Sequence, residues 1–282
     1  MAEPEIRAGQ SVELLKALHI LTRDGKMNQD SRRKLKQVYH LFQFIEPLLR
    51  QLADEGRAFT LVDHGAGKSY LGFILYDLFF KDCHSAPVIH GIETRGELVE
   101  RARALAGQLG FSRMQFHHLS VAESITSDQL PPTVDIVTAL HACDTATDDA
   151  ISFALKKQAR FIVLVPCCQA EVAATLRRLK AQSLSRDVIT EIWRHPIHTR
   201  EFGSHLTNVL RCLQLEAHGY QVNVTELVGW EHSMKNELII ATRKEGSRLK
   251  AAQRLRDVLA TVGLKEMESR FWLPDTQETV DA

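Results

Sequence analysis

Long apolar runs are missing from this chain. None approaches the roughly 20 residues that a membrane-crossing helix needs, so no span is expected. No secretory leader is expected either, since Met1-Ala2-Glu3-Pro4-Glu5 is acidic and polar. Cysteine is scarce. The 282 residues hold five, and the adjacent pair Cys167-Cys168 does not suit a disulfide framework, which makes a reducing cytoplasm the expected compartment. Net charge is absent, with 35 Lys and Arg against 35 Asp and Glu, so the chain as a whole does not advertise a nucleic-acid partner. Repeats and low-complexity segments are absent too. What is present is a hydrophobic content of 44%, ample for a packed core, over a length that suits one large α/β domain with additions or two small ones. Charge is uneven locally. Between Lys16 and Lys36, seven bases (Lys16, Arg23, Lys26, Arg32, Arg33, Lys34, Lys36) face two acids, Asp24 and Asp30, and a second basic stretch runs from Arg243 to Arg256. Such stretches serve as solvated helix faces or as phosphate-binding surfaces.

Apolar periodicity organises the chain. Residues 11–52 suggest two helices, with Asp30-Ser31 as an N-cap, an apolar stripe from Leu35 to Leu49, and Pro47 expected to kink or split the second. Strands are expected near Phe59–Asp63, Pro87–Glu93, Met114–His118, Val134–Leu140 and Phe161–Pro166. Helices are expected near Tyr70–Phe80, Glu97–Leu109, Thr147–Lys157 and Gln169–Lys180. This alternation implies a parallel, doubly wound sheet with helices on both faces. Ser183 to Gly203 is polar and suggests an irregular lid or insertion. A helix over Leu206–His218, strands over Gln221–Val228 and Glu237–Thr242, a basic helix and a polar tail complete the chain. The expected division is a helical extension (1–56), an α/β domain (57–243) and a C-terminal helix with tail (244–282).

The most informative stretch is Leu61-Val62-Asp63-His64-Gly65-Ala66-Gly67-Lys68-Ser69, a strand ending in an acid followed by a glycine-broken turn and a helix. The glycines let the backbone turn sharply and approach a ligand, and the helix presents free N–H groups to it. Two nucleotide signatures fail here. A phosphate loop would need Gly where Val62 stands, and a dinucleotide fingerprint would need Gly at Tyr70. Asp63-x-Gly65-x-Gly67 instead resembles the D-x-G-x-G turn that opens S-adenosylmethionine-dependent methyltransferase domains. In those the acid reaches the methionine end of the cofactor. Glu93 ends the second strand, where an acid can accept both ribose hydroxyls of an adenosine. Both acids are also plausible helix caps.

In open α/β sheets ligands lie beyond the carboxyl ends of the strands. The third strand ends at His118-Leu119-Ser120-Val121, a place for an adenine ring. The fourth ends at Leu140-His141-Ala142-Cys143-Asp144 and the fifth at Pro166-Cys167-Cys168-Gln169. With strands four and five adjacent, His141, Cys143, Cys167 and Cys168 would converge. Three roles are open for them: zinc ligation, a covalent nucleophile as in RNA 5-methylcytosine enzymes, or small packing residues. His141 suits acceptor positioning or proton removal near neutral pH. Asp144 and Asp148 equally suit the first turn of the next helix.

Together, D-x-G-A-G-K (Asp63–Lys68), L-H-A-C-x-x-A-T-D (Leu140–Asp148), P-C-C (Pro166–Cys168) and K-N-E-L-I-I-A (Lys235–Ala241) resemble a family of S-adenosylmethionine-dependent methyltransferase-like domains. That family includes the domain of a glutathione S-transferase C-terminal-domain-containing protein and bacterial relatives. More distantly, the chain is similar to eukaryotic tRNA 2′-O-methyltransferases that carry H-L-C-G-x-A-T-D and C-C-H-H. The resemblance spans about Ser31 to Arg243. Asp144 stands where the relatives usually have Gly, and Gln169 where the tRNA enzymes have His. The resemblance implies a seven-stranded class I methyltransferase sheet with a helical N-terminal extension and S-adenosylmethionine as cofactor, with no metal required. It implies cofactor contacts from Asp63, His64, Gly65, Gly67, Glu93, Ser120, Val121 and His141, and catalytic roles for His141, Asp144, Cys167 and Cys168. RNA (tRNA or rRNA) is the expected acceptor. A protein or small-molecule acceptor, or an inactive cofactor-binding interaction module, are the alternatives.

Overall fold

The computed structural model describes residues 6–140, 145–166, 169–182, 188–227, 237–244, 249–271 and 273. Its centre is a seven-stranded sheet: β1 (Thr60–His64), β2 (Val88–Glu93), β3 (Met114–His118), β4 (Ile136–Ala139), β5 (Phe161–Leu164), β6 (Tyr220–Glu226) and β7 (Glu237–Arg243), in the order β3-β2-β1-β4-β5-β7-β6. The first five strands pair in parallel. β7 inserts antiparallel between β5 and β6, with Phe161 opposite Thr242 and Tyr220 opposite Arg243. This is the doubly wound class I sheet that the resemblance implied.

The inner strands are apolar throughout because both faces are covered. Alternate residues serve opposite layers: Leu61, Ile136, Phe161 and Val163 join one core cluster, whereas Val62, Val137, Ile162 and Leu164 join another. The first layer holds α1 (Val12–Ala17), α2 (Gln29–Ala53), α3 (Tyr70–Leu78) and α4 (Gly96–Gln108), through Leu14, Ile45, Phe73 and Val99. The second holds α5 (Val121–Thr126), α6 (Thr145–Lys156) and α8 (Pro196–Ala217), through Ile125, Phe153 and Leu215. A third cluster joins α7 (Glu171–Gln182), α8 and α9 (Leu249–Thr261) through Val172, Leu206 and Leu255. Among the described residues, no helix is long and apolar enough to cross a membrane.

The N-terminal helices share a core with the sheet. Leu14, Leu15, Leu49 and Leu52 are buried in the same cluster as Leu61 and Phe73. A polar anchor fixes them: buried Asp77 on α3 accepts from the Ser11 amide (2.8 Å) and from Lys81 Nζ (3.0 Å), which also donates to Gly9 O (2.7 Å).

Four local expectations change. The cap of α2 is Asn28, whose Oδ1 accepts from the Ser31 amide at 2.8 Å, not Asp30-Ser31. The helix is a single element through Pro47, because buried Ile45, Leu49 and Leu52 hold both sides of that residue to the core. Part of the segment expected to be irregular is the first half of α8, which starts at Pro196, a residue preset for the first helical position. Its inward positions are the small or polar Thr199 and Gly203, so apolar spacing did not mark it. The short helix α5 was not foreseen. A reciprocal cap forms it, with Ser120 Oγ accepting from the Glu123 amide and Glu123 accepting from the Ser120 amide.

Candidate active site

A cavity of about 580 Å³ opens beyond the carboxyl ends of the parallel strands. The β1–α3 turn forms its floor. Gly65 (φ 64°) and Gly67 (φ 57°) are both left-handed, and Gly67 also lies beneath Arg95, whose Nη2 would be 3.8 Å from an added Cβ. Here it is the left-handed backbone of the turn, not crowding, that calls for glycine. The Ala66 amide donates to Ile92 O (3.1 Å), tying the turn to β2. Asp63 and Glu93 both line the cavity, with Ile92, Leu119, Val121, Leu140 and Leu71 supplying apolar wall.

Asp63 is buried. Thr138 on β4 donates to its Oδ1 at 2.6 Å. Burial pushes its carboxyl up to about 6, and the Thr138 hydroxyl only partly offsets this. Such a group is poised to gain a cationic partner. Glu93 is held differently. Its Oε2 accepts from the Gly67 amide (2.8 Å) and Arg95 Nη2 (3.2 Å). Its Oε1 accepts from the Arg95 amide (3.0 Å), Arg95 Nε (3.0 Å) and Thr94 Oγ1 (3.3 Å). Burial acts to raise this carboxyl, but the Arg95 side chain and the two amides outweigh it and keep it below the usual range.

His64 does not line the cavity. Successive strand residues face opposite ways, so with Asp63 toward the cavity His64 is driven into the other layer. There it packs edge-on against Phe153 of α6 (4.4 Å between ring centroids), with neither ring nitrogen hydrogen-bonded. Burial pushes it down to about 3, so it stays neutral. Ser120 does not line the cavity either. It caps α5, whereas its neighbours Leu119 and Val121 reach the wall. The lining residues that the sequence did not single out include Thr94, Arg95, Tyr70, Leu71, Leu140 and Ala146. Arg95, two residues beyond the strand-end acid, carried a signal only in hindsight of that spacing.

His141, Cys143, Asp144, Cys167 and Cys168 lie outside the described residues. Their flanks are described, and strands β4 and β5 are adjacent as expected, with Ala139 opposite Leu164. The flanks are held from behind by one face of α8. Buried Gln169, next to the Pro166-Cys167-Cys168 turn, accepts from Ser204 Oγ (2.5 Å) and donates to Asn208 Oδ1 (3.2 Å). Asn208 Oδ1 also accepts from Arg211 Nη1 (3.2 Å), and Asn208 Nδ2 donates to Glu237 (2.7 Å). Arg211, fully buried, grips Asp148 on α6 with Nε and Nη2 at 2.7 and 2.8 Å. Asp148 thus belongs to the first turn of α6 and to a buried ion pair at once.

Comparison with known proteins agrees with this architecture. A family profile described as "methyltransferase domain" matches residues 33–175, just over half of the chain. The glutathione S-transferase C-terminal domain-containing protein of Xenopus laevis is 24% identical over 239 residues, covering 78% of this chain and 36% of that protein. Its Bos taurus counterpart is 26% identical over 235 residues, covering 77% and 34%. The chain therefore spans about a third of the length of these curated relatives. Among solved structures, magnesium protoporphyrin IX methyltransferase from Synechocystis PCC 6803 with bound SAH aligns with a TM-score of 0.45 at 15% identity, over 83% of this chain and 95% of that one. On the strength of the profile match over just over half of its length, the chain belongs to this methyltransferase domain family.

Proposed function

We propose that this chain binds S-adenosylmethionine in the strand-end cavity and methylates RNA. The observation that carries the cofactor half is the pair of buried acids, Asp63 and Glu93, facing one cavity across a left-handed glycine turn. The residues fit the group. The cavity volume falls in the range of small-molecule sites. Its apolar wall (Ile92, Leu119, Val121) suits an adenine ring, Glu93 suits a ribose diol, and the desolvated Asp63 carboxyl suits the amino group of the methionine end. Bound S-adenosylmethionine supplies a methyl group already activated on a sulfonium. The protein's share is alignment of the acceptor and removal of one proton where the acceptor carries one. His141 is the residue we assign to that proton, with Asp144, Cys167 and Cys168 beside the acceptor, because their strands end side by side.

The RNA half rests on α2 and the loop before it, where Arg23, Lys26, Arg32, Arg33, Lys34 and Lys36 are all exposed. A single-stranded RNA held there would dissociate steeply with salt, by a log–log slope near −0.7 per phosphate contacted. Reversing Arg32, Arg33 and Lys36 to Glu would weaken all sequences about equally, since phosphate contacts position without specifying. A small-molecule acceptor is the second reading. Two observations favour it: Arg254 and Arg256 of the C-terminal basic segment pair with Glu216 and Glu268, and none of the described residues of either basic segment lines the cavity. Incubation with methyl-labelled S-adenosylmethionine and the RNA, protein and metabolite fractions of a cell extract tests the proposal. Label in RNA supports it, label only in another fraction replaces the acceptor, and no label in any fraction favours a binding module.

A further inference from the structure

The Glu93 carboxylate already carries more donors than it has places for. Two carboxylate oxygens offer about four lone-pair sites. Five donors converge on them: the Gly67 and Arg95 amides, Thr94 Oγ1, and Arg95 Nε and Nη2. A ribose diol would bring two more hydroxyls to the same oxygens, so about three present donors must leave: the most distant, Thr94 Oγ1 at 3.3 Å, and two of the remaining four. The two amides are fixed by the β1–α3 turn and by the end of β2. The Arg95 guanidinium is the part free to move, because its side chain is 62% exposed and lines the cavity mouth.

We propose that Arg95 is a built-in competitor for the ribose site. In the free protein its guanidinium caps Glu93 by standing in for the two hydroxyls of an adenosine, and it swings away as the nucleoside enters. The proposal rests on the assignment of Glu93 to the ribose. The arrangement has two consequences. Glu93 stays ionised and ordered without ligand, so the acceptor geometry is preformed. Binding must break an ion pair whose carboxylate is buried but whose guanidinium faces solvent, and that cost is sensitive to salt, whereas hydrogen bonds from neutral hydroxyls are much less so.

The experiment is calorimetric titration of S-adenosylhomocysteine, which has no net charge and so isolates the diol from sulfonium attraction. Wild type, Arg95→Ala, Arg95→Gln and Arg95→Lys are compared from low salt to about 1 M, where the screening length falls to roughly 3 Å. A pair with one partner in solvent corresponds to about two- to fivefold in affinity. The expected results are tighter binding by that factor in Arg95→Ala and Arg95→Gln, near wild-type binding in Arg95→Lys, and wild-type affinity that improves with salt while the Ala variant stays flat. The analogue lacking both ribose hydroxyls serves as internal control: it has no use for Glu93, so its affinity is expected to be the same for wild type and Arg95→Ala. Equal or weaker binding of S-adenosylhomocysteine by folded Arg95→Ala and Arg95→Gln overturns the competitor role of Arg95 alone. Tighter binding of the dihydroxyl-free analogue by the same factor also overturns it, since the gain would then be unrelated to the diol. Absence of binding by every variant overturns the cofactor site itself.

Discussion

Replacing Asp148 by alanine is the perturbation whose size the structure fixes best. Arg211 has no solvent exposure, and Asp148 accepts two charge-assisted bonds from it at 2.7 and 2.8 Å in the bidentate geometry that suits a guanidinium. Arg270 adds a third, longer contact to the same carboxylate at 3.4 Å. Arginine cannot lose its proton to relieve the loss, so Asp148→Ala removes a bidentate carboxylate from a cation deep in the protein. Breaking one side of a buried pair costs about 3–5 kcal/mol. Urea denaturation followed by circular dichroism measures it, and the melting temperature should drop by ~2–4 °C per kcal/mol for a domain near this size. Replacing both partners, Asp148→Leu with Arg211→Met, should recover most of that loss, because the desolvation of both charges is removed together. A loss under about 1 kcal/mol for Asp148→Ala, which is typical of surface changes, would refute the reasoning. So would a double variant as unstable as the two single losses added, since the charges would then not be compensating each other.

Other consequences follow from the same structure. Asp63 is raised to about 6 in the free protein, so it is protonated below that pH and cannot serve an ammonium. S-adenosylmethionine affinity should therefore fall as pH drops below about 6, approaching tenfold per unit, and titrations in which affinity holds constant from pH 7 to 5 would remove Asp63 from the site. Three groups carry the largest shifts that bear on acid stability. His64 (about 3) and His90 (about 4, from burial and the nearby His117) are depressed, so their contribution is present above the ordinary histidine value of about 6.5 and is lost as pH falls. Asp63, being raised, opposes them between about 4 and 6, contributing stability at the acid end that is lost as pH rises. Two histidines against one carboxyl leave a net loss of about 1.4 kcal/mol per unit of acidification near pH 5. Urea midpoints that stay level or rise toward pH 5 would contradict this. Gly203→Ala places a methyl 2.8 Å from the Ala173 backbone nitrogen and Cα, where α7 and α8 touch. Overpacking of that kind costs about 1–3 kcal/mol, and a variant melting with the wild type would show that the helices separate freely.

Much of the sheet was legible because its strands must be apolar on both faces and its helices on one. Met114–His118 has the same bounds in sequence and structure, and the D-x-G-x-G turn and Glu93 stand where strand ends place them. What escaped was decided by tertiary contact. Helix α8 was half hidden because its inward side carries Gly203 against Ala173, a close approach that leaves no apolar periodicity to see. The grip of Arg211 on Asp148 joins residues 63 positions apart, and nothing local distinguishes that arginine from a solvated one. His64 resembled a site residue because it sits inside the motif, yet strand alternation turns it toward Phe153. Arg95 drew no reading from the sequence, because only the fold shows how many donors crowd onto Glu93.

The central claim is that the cavity between Asp63 and Glu93 is an S-adenosylmethionine site. Isothermal calorimetry with S-adenosylmethionine, its demethylated product, NAD and ATP tests it most directly. Micromolar-range binding of the first two and no binding of the others is expected. Asp63→Ala should lose roughly 1–3 kcal/mol, and Glu93→Ala a similar amount, from leaving polar groups of the ligand unsatisfied. Binding of NAD or ATP with no response to S-adenosylmethionine, or unchanged affinity in both folded variants, would contradict it.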